Sequence, residues 1–470
     1  MTLTLENAAR ASSGHVLNGD RFPAILHVVT DTRAISPGDT FLALRGERFD
    51  GHDYVRDAVS KGASAVVIDN PGAVIDGIPA LLVADTKRAY MDLAGAAREH
   101  YFGQVIGITG SAGKTTTKHL LAQLLYAHYG GPSVLASPAN ENNEIGVSKL
   151  LLAATAEHRV LVVEMGARHE GDIAELVRIA RPHIGVLTNI GEAHVEIFGS
   201  REGLARTKWG LFALGAQAVL NARDSESVLR SASIATPASW FGTGEPGPPG
   251  VYVRDARTLA LTYGATAREL AIDLRLPGVY NRANLAGALA AALLLGIAPE
   301  ELVQTIPNLK LPSGRYESIS VGDGTRLIYD AYNANTSGMI AALDAFAAEQ
   351  ADRRIAVLAS MAELGSDAPA MHERVGAHAA ASGVDILLVA GDYAGSVVAG
   401  AVAGGLPPDR IVTYGENAEA VSWLREHAGA RDVVLLKGSR KYKMEEIVES
   451  LRPDNPSVPQ GPSIPQGDKG

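Results

Sequence analysis

The chain has 470 residues, 46% hydrophobic and 20% charged, with 42 Lys and Arg against 52 Asp and Glu, a formal net charge of −10 and no cysteine. That length calls for about two to four hydrophobic cores rather than one. The acidic balance argues against nonspecific nucleic-acid binding, and the lack of cysteine removes disulfides, thiolate metal sites and Cys nucleophiles.

The N-terminal stretch Met-Thr-Leu-Thr-Leu-Glu-Asn lacks the basic start and apolar core of a secretion signal. No apolar run reaches bilayer-spanning length without a charge, Gly or Pro break, so the expected location is the cytoplasm and no stable membrane insertion is expected. Residues 1–85 read as a small N-terminal α/β domain. Short apolar strands at 40–44, 65–68 and 80–83 alternate with Gly and Asp turns, and 54–61 reads as a helix. Polar residues cluster at the strand ends: Asp31, Thr32 and Arg33, then Arg45, Gly46, Asp50 and His52. They suit a ligand with phosphates and hydroxyls, and they equally suit plain turn chemistry.

A helix over 87–100 leads into a central unit, 86–308, whose strands (105–109, 160–164, 184–189, 218–221) alternate with helices. That alternation predicts a parallel sheet covered on both faces, with ligands at the carboxyl ends of its strands. The first of these strands runs into Gly110, Ser111, Ala112, Gly113, Lys114, Thr115 and Thr116, followed by an amphipathic helix. Strand, glycine turn, Lys-Thr and helix make a P-loop-type phosphate cradle. Backbone N–H groups face the anion, Lys114 neutralises it and a hydroxyl reaches Mg²⁺. The longer form of the motif wants a glycine where Ile108 stands, so the match is the shorter Gly-x-x-Gly-Lys-Thr.

Glu164 ends an apolar strand and brings a carboxylate to the same sheet edge, where it can meet Mg²⁺ directly or through water. His194 follows the next strand and is either a second metal ligand or a packed histidine. Between them, Asn140, Asn142 and Asn143 make a loop whose amides either bind substrate or form Asx turns. Lys208 lies on a helix, where a solvated lysine is the default reading. Residues 245–277 are less regular and read as added strands. A helix opening near Asn281 and ending near Gly296 is apolar nearly all round, which marks it as buried.

The third unit, 309–452, repeats the alternation, with strands at 326–329, 355–358, 386–389 and 433–436 and helices at 339–348 and 372–381. It reads as a C-terminal Rossmann-like α/β domain. Arg315, Asp330, Tyr332, Asn333 and Asn335 fall at its start or at strand ends. Residues 453–470, rich in Pro, Gly, Ser and Gln, read as a disordered tail.

Eight short segments, in this order, resemble the Mur ligases, the ATP-dependent amide ligases of peptidoglycan precursor synthesis. They are Asp31-Thr-Arg33, Arg45-Gly-Glu-Arg-Phe-Asp-Gly-His-Asp53, Gly110-Ser-Ala-Gly-Lys-Thr-Thr-Thr-Lys118, Asn140-Glu-Asn-Asn-Glu-Ile-Gly146, Glu164-Met-Gly-Ala167, Thr188-Asn-Ile-Gly-Glu-Ala-His194, Tyr332-Asn-Ala-Asn335 and Lys437-Gly-Ser-Arg440. The resemblance spans residues 25–452. It implies three domains around a central ATPase, with ATP and Mg²⁺ as cofactors and small molecules as partners: a UDP-muramoyl peptide and, in the member resembled most, D-Ala-D-Ala. It implies that the first domain holds the UDP portion through Asp31, Thr32, Arg33 and the 45–53 segment. Lys114 would meet the transferring phosphoryl, with Thr115 and Glu164 on one Mg²⁺ and His194 on the second. Lys208 matches the lysine that carries CO₂ as a carbamate and so supports the metal. Asn281 matches a group near adenine, Arg315 and Asp330 groups near phosphate and ribose, and Tyr332 to Asn335 the dipeptide site. The chain departs from the family pattern at Tyr280, Gly210, Ser148 and Thr336. The implied reaction is attack of a carboxylate on the γ-phosphate of ATP, then displacement of phosphate by an amine, in a monomer.

Overall fold

The computed structural model describes residues 3–18, 27–46, 49–191, 198–263, 267–321 and 324–452. The chain divides into two compact units, Met1–Lys310 and Leu311–Gly470. Among the described residues no helix is long and apolar enough to cross a membrane. The expected tail, 453–470, and His194 lie outside the described residues.

The first unit holds two sheets. The smaller runs His15–Leu17, Ala80–Leu82, Ala65–Ile68, Thr40–Leu42, Val28–Val29, with only the first strand antiparallel to its neighbour. All of Ala65–Ile68 is buried, as expected of a parallel strand covered on both faces. The helix Thr86–Glu99 follows, its start capped by Asp85, whose carboxylate accepts from the Arg88 N–H at 2.7 Å. One side of this helix (Tyr90, Leu93) packs into the small sheet's core, and another (Met91, Ala94) packs with Val105 and Leu150 of the larger one. A helix shared by two cores explains why both sheets form one unit.

The larger sheet has nine strands, in the order Arg268–Ala271, Thr258–Leu261, Gly250–Val253, Ser239–Thr243, Gln217–Asn221, Ile184–Leu187, Gln104–Thr109, Val160–Glu164, Val134–Ala136. The first two pairings in that order are antiparallel and the rest parallel. The sequence pattern gives the parallel centre but not the antiparallel edge. The chain leaves Gln104–Thr109 toward one edge, returns, and crosses to the other side at Ile184–Leu187. The direction of winding therefore reverses beside Gln104–Thr109, and a crevice opens at its carboxyl end. The Ala/Leu-rich helix is Val279–Leu294, buried from Leu285 to Ala292, and it packs on the helix Lys114–Tyr129 and on Ser239–Thr243.

The second unit has one six-stranded sheet, Glu317–Val321, Thr325–Tyr329, Val433–Lys437, Arg354–Ala359, Ile386–Ala390, Ile411–Thr413, antiparallel only at the first pair. Its core includes Leu327, Val357, Leu388, Val434 and Ile447. Two of the departures carry buried hydroxyls without a hydrogen-bond partner: Ser148 on Glu144–Ala153 and Thr336 at the start of Thr336–Ala347.

Candidate functional site

The crevice beside Gln104–Thr109 is built first from its glycines. Gly110 and Gly113 have φ of 149° and 82°. A Cβ at Gly110 would lie 1.9 Å from Thr188 Oγ1, and one at Gly113 would lie 2.3 Å from Asn284 Oδ1. Only glycine fits either place. Gly113 opens the helix Lys114–Tyr129, and no side chain caps it. Its first N–H groups therefore point at whatever anion the loop holds. The Ser111 and Ala112 N–H groups are turned elsewhere, to the backbone oxygen and Oδ1 of Asn189, both at 3.0 Å. Thr188 Oγ1 donates to Ala112 O at 2.6 Å and braces the same turn. Lys114 Nζ curls back to Gly110 O at 2.8 Å, and Thr116 is buried.

Glu164, 1% exposed, ends the neighbouring strand in register with Ile108. Its Oε1 accepts from Thr115 Oγ1 at 3.0 Å and from Asn142 Nδ2 at 2.9 Å. Its Oε2 is buried and makes no hydrogen bond. Lys118 Nζ stands 3.0 Å from that oxygen, off the angle a hydrogen bond requires, so Oε2 is paired in charge alone. A hydroxyl beside a carboxylate with an unbonded oxygen is a hard, oxygen-only donor set, which fits Mg²⁺. Among the described residues, no three His, Asp or Glu side chains gather around a common point.

Lys208 sits near the end of the helix Arg201–Trp209 and is 2% exposed, so the solvated reading is overturned. Burial first, and then the Lys114 ammonium, pull its pKa down from 10.5 to about 7, against Asp172. Asn281 is also buried. Its amide donates to Pro277 O at 2.9 Å, and its Oδ1 accepts from Asn284 at 3.4 Å. Asn284 in turn accepts from Thr117 Oγ1 at 3.4 Å, which ties the two helix starts together. In the asparagine loop, Asn140 is exposed, Asn142 reaches Glu164, and Asn143 caps the helix Glu144–Ala153 through Gly146 N at 3.0 Å.

The small sheet gathers the other predicted group. Arg45 bonds Asp50 and meets Asp69 Oδ1 at 2.6 Å. His52 Nδ1 lies 2.6 Å from Asp50 Oδ1, and His52 Nε2 accepts from Asp69 N at 3.1 Å. Gly46 N donates to Phe49 O at 2.9 Å and closes the turn. Asp31 holds the turn Thr32–Ala34 through Arg33 N and grips the Arg33 side chain at 2.7 Å. The hydrogen bonds from Arg33 hold the Asp31 carboxyl down at about 2.

In the second unit, Asp330 Oδ2 pairs with Lys437 Nζ at 2.7 Å, nearly out of solvent, and its Oδ1 accepts from Tyr316 N at 3.1 Å. The Arg315 guanidinium lies 4.3 Å from the Tyr332 ring centre and that of Arg440 6.0 Å. Asn335 caps Thr336–Ala347 through Gly338 N at 2.8 Å, and Asn333 Oδ1 accepts from Ala334 N at 2.9 Å.

Four residues of these clusters were not singled out from the sequence: Lys118, Asp69, Asn189 and Asn284. For Lys118 the signal was available. It lies three residues after Thr115 on one helix and therefore shares its face.

The comparisons with known proteins match along most of the chain. A model described as Mur ligase family, catalytic domain, matches residues 24–97; Mur ligase middle domain matches 108–292; and Mur ligase, glutamate ligase domain, matches 314–440. The chain is 36% identical over 437 residues to a UDP-N-acetylmuramoyl-tripeptide–D-alanyl-D-alanine ligase from Synechocystis sp., covering 92% of this chain and 93% of that one. Among solved structures it is similar to MurF from Acinetobacter baumannii, with a TM-score of 0.83 and 28% identity over 96% of this chain and 99% of that one. It is also similar to MurF ligase from Thermotoga maritima in complex with ADP, with a TM-score of 0.77 and 26% identity over 90% and 96% of the two chains.

Proposed function

The chain belongs to the Mur ligase family, and from that premise we propose that it joins D-alanyl-D-alanine to UDP-N-acetylmuramoyl-tripeptide at the expense of ATP, releasing ADP and phosphate. The observation that carries this reading is the Glu164 cluster beside the phosphate loop: a buried carboxylate oxygen without a hydrogen bond, a hydroxyl next to it, and an uncapped helix start above it.

A carboxylate is a poor acyl donor, because its leaving group would be oxide. In the proposed reaction a carboxylate oxygen of the peptide attacks the γ-phosphorus, and the bond to the ADP oxygen breaks. The amine of the dipeptide then attacks the acyl carbon, phosphate leaves with the bonding pair, and the amine loses a proton. Lys114 releases Gly110 O and neutralises the moving phosphoryl group, with the helix N–H groups as fixed donors. Thr115 and Glu164 are the residues that would hold Mg²⁺, which when bound screens the phosphate charge. His194 is the proposed ligand of a second ion.

Lys208 is proposed as the site of carbamylation. A pKa of about 7 leaves much of the amine neutral at physiological pH, the form that adds to CO₂. The neutral amine's lone pair bonds the carbon and one of its protons departs, which leaves a buried carbamate anion. Arg33 and Arg45, with side chains 86% and 52% exposed, are the proposed anchors for the UDP diphosphate. Asn143 and Asn335 serve as helix caps, and Asn281 supports the phosphate-loop helix. Arg315, Tyr332 and Asp330 remain proposed ligand contacts of the second unit. A monomer in the cytoplasm fits the reading.

Phosphate release measured with both substrates tests it. Release that requires UDP-N-acetylmuramoyl-tripeptide, D-alanyl-D-alanine and ATP together, with ADP as co-product, is expected. AMP and pyrophosphate as products, or turnover indifferent to the dipeptide, would overturn it.

A further inference from the structure

Glu164 has three donors around it, and one of them has no place in the reaction derived above. Lys118 is 5% exposed and reaches the core on the same helix face as Thr115. Its ammonium makes two contacts: Glu164 Oε2 at 3.0 Å and Ala139 O at 2.6 Å. Ala139 holds a φ of 40°, a left-handed conformation that a non-glycine residue adopts only when tied down. Asn142, from the same turn, holds the other oxygen of Glu164.

We propose that Lys118 is a positioning residue, the resident counter-cation of Glu164. It fills the metal-facing side of the carboxylate until a divalent ion arrives, and it ties that carboxylate to the Asn140–Asn143 turn. This rests on the reading of Glu164 as a metal ligand. A divalent ion would take Oε2 as an oxygen ligand. An ammonium already 3.0 Å from the same oxygen would then be a close like-charge neighbour and must move aside. The two cations therefore compete for one buried oxygen. Lys118 keeps the metal-free carboxylate compensated, which prevents the large loss of stability that an unpaired buried charge causes. It also weakens the ion's hold, which favours entry of the metal together with the nucleotide phosphates rather than alone.

The test uses the full chain without nucleotide and Mn²⁺ alone as the probe, read by thermal melting and by the electron paramagnetic signal of free Mn²⁺. Lys118→Met should melt roughly 10 °C lower than the parent without metal. It should bind Mn²⁺ about tenfold or more tightly, so that Mn²⁺ raises its melting temperature more than it raises the parent's. Lys118→Arg should restore the parental response. The double variant Lys118→Met/Glu164→Gln, with both charges gone, should regain most of the lost stability and bind no Mn²⁺. If Lys118→Met does not fold without metal, its recovery by Mn²⁺ is the expected result, and failure to recover contradicts the proposal. Equal Mn²⁺ affinity in Lys118→Met and the parent, with Glu164→Gln inert, would overturn this inference and leave Glu164 as the metal ligand. A parental Mn²⁺ response in Glu164→Gln would overturn the metal reading itself.

Discussion

The Arg45 group of the small sheet and the Glu164 group of the large one are both polar clusters at the ends of parallel strands, yet they are built on opposite plans. Around Arg45 the polar groups satisfy each other: Arg45 with Asp50 and Asp69, and His52 with the Asp50 carboxylate and the Asp69 N–H. The arginine is half exposed, so a ligand can replace one exposed partner by another at small cost. Around Glu164 the carboxylate and Lys118 are buried, and one carboxylate oxygen is left without a hydrogen bond. That oxygen has only the Lys118 ammonium to balance it, which makes the site selective for a ligand that completes it. In the proposed function the first cluster is a surface that recognises, and the second a socket for a cation and phosphate.

Mutations should separate the two plans. The largest effect belongs to the socket. Lys114→Ala should lower kcat by at least about a thousandfold, because it removes charge stabilisation present in the transition state. Melting should change little, since Lys114 is the first residue of its helix and only half-buried. Lys208→Met should come next and sharpen the contrast, because it should impair turnover while stabilising the chain. The folded pKa of Lys208, about 7, is depressed from 10.5, so between those values the unfolded state binds more protons and stability rises with pH. Removing the amine should add on the order of a few kcal/mol at pH 7, and the gain should fade as pH climbs toward 10.5. Denaturant melts of both proteins at pH 7 and pH 10 read this directly. A constant difference across that range would contradict the buried neutral amine.

Smaller effects belong to the recognising surface. Arg45→Ala should raise KM for the nucleotide peptide about tenfold and leave kcat within about twofold, the signature of uniform binding. A loss confined to kcat would place Arg45 in the chemistry and erase the contrast. Arg33→Ala should be the mildest, with a modest rise in the same KM. Its guanidinium is mostly solvent-exposed, so the melting temperature should stay within about one degree.

The same contrast explains what was legible in the sequence. The phosphate loop could be read, because Gly110, Gly113 and Lys114 sit between a strand pattern and a helix pattern. Glu164 could be read from its place at a strand tip. The parallel core of each sheet followed from alternation, but the antiparallel Thr258–Leu261 and Arg268–Ala271 lie in a stretch without clear period. Lysines were the weak point. A lysine on a helix usually faces water; the spacing from Thr115 puts Lys118 on the inward face, whereas nothing in the sequence around Lys208 says that it points inward. Two asparagines of the predicted substrate group also have a backbone role. Asn143 and Asn335 lie in motifs that resemble binding segments, and each caps a helix through the backbone three residues on.

The claim on which the rest depends is that the acid is activated by direct transfer of the γ-phosphoryl group at the Lys114–Glu164 socket. Peptide substrate carrying ¹⁸O in its terminal carboxylate, turned over once with ATP and D-alanyl-D-alanine, tests it by mass spectrometry of the released phosphate. One ¹⁸O atom per phosphate is the result this mechanism requires. Phosphate free of label, with amide product still formed, would contradict it.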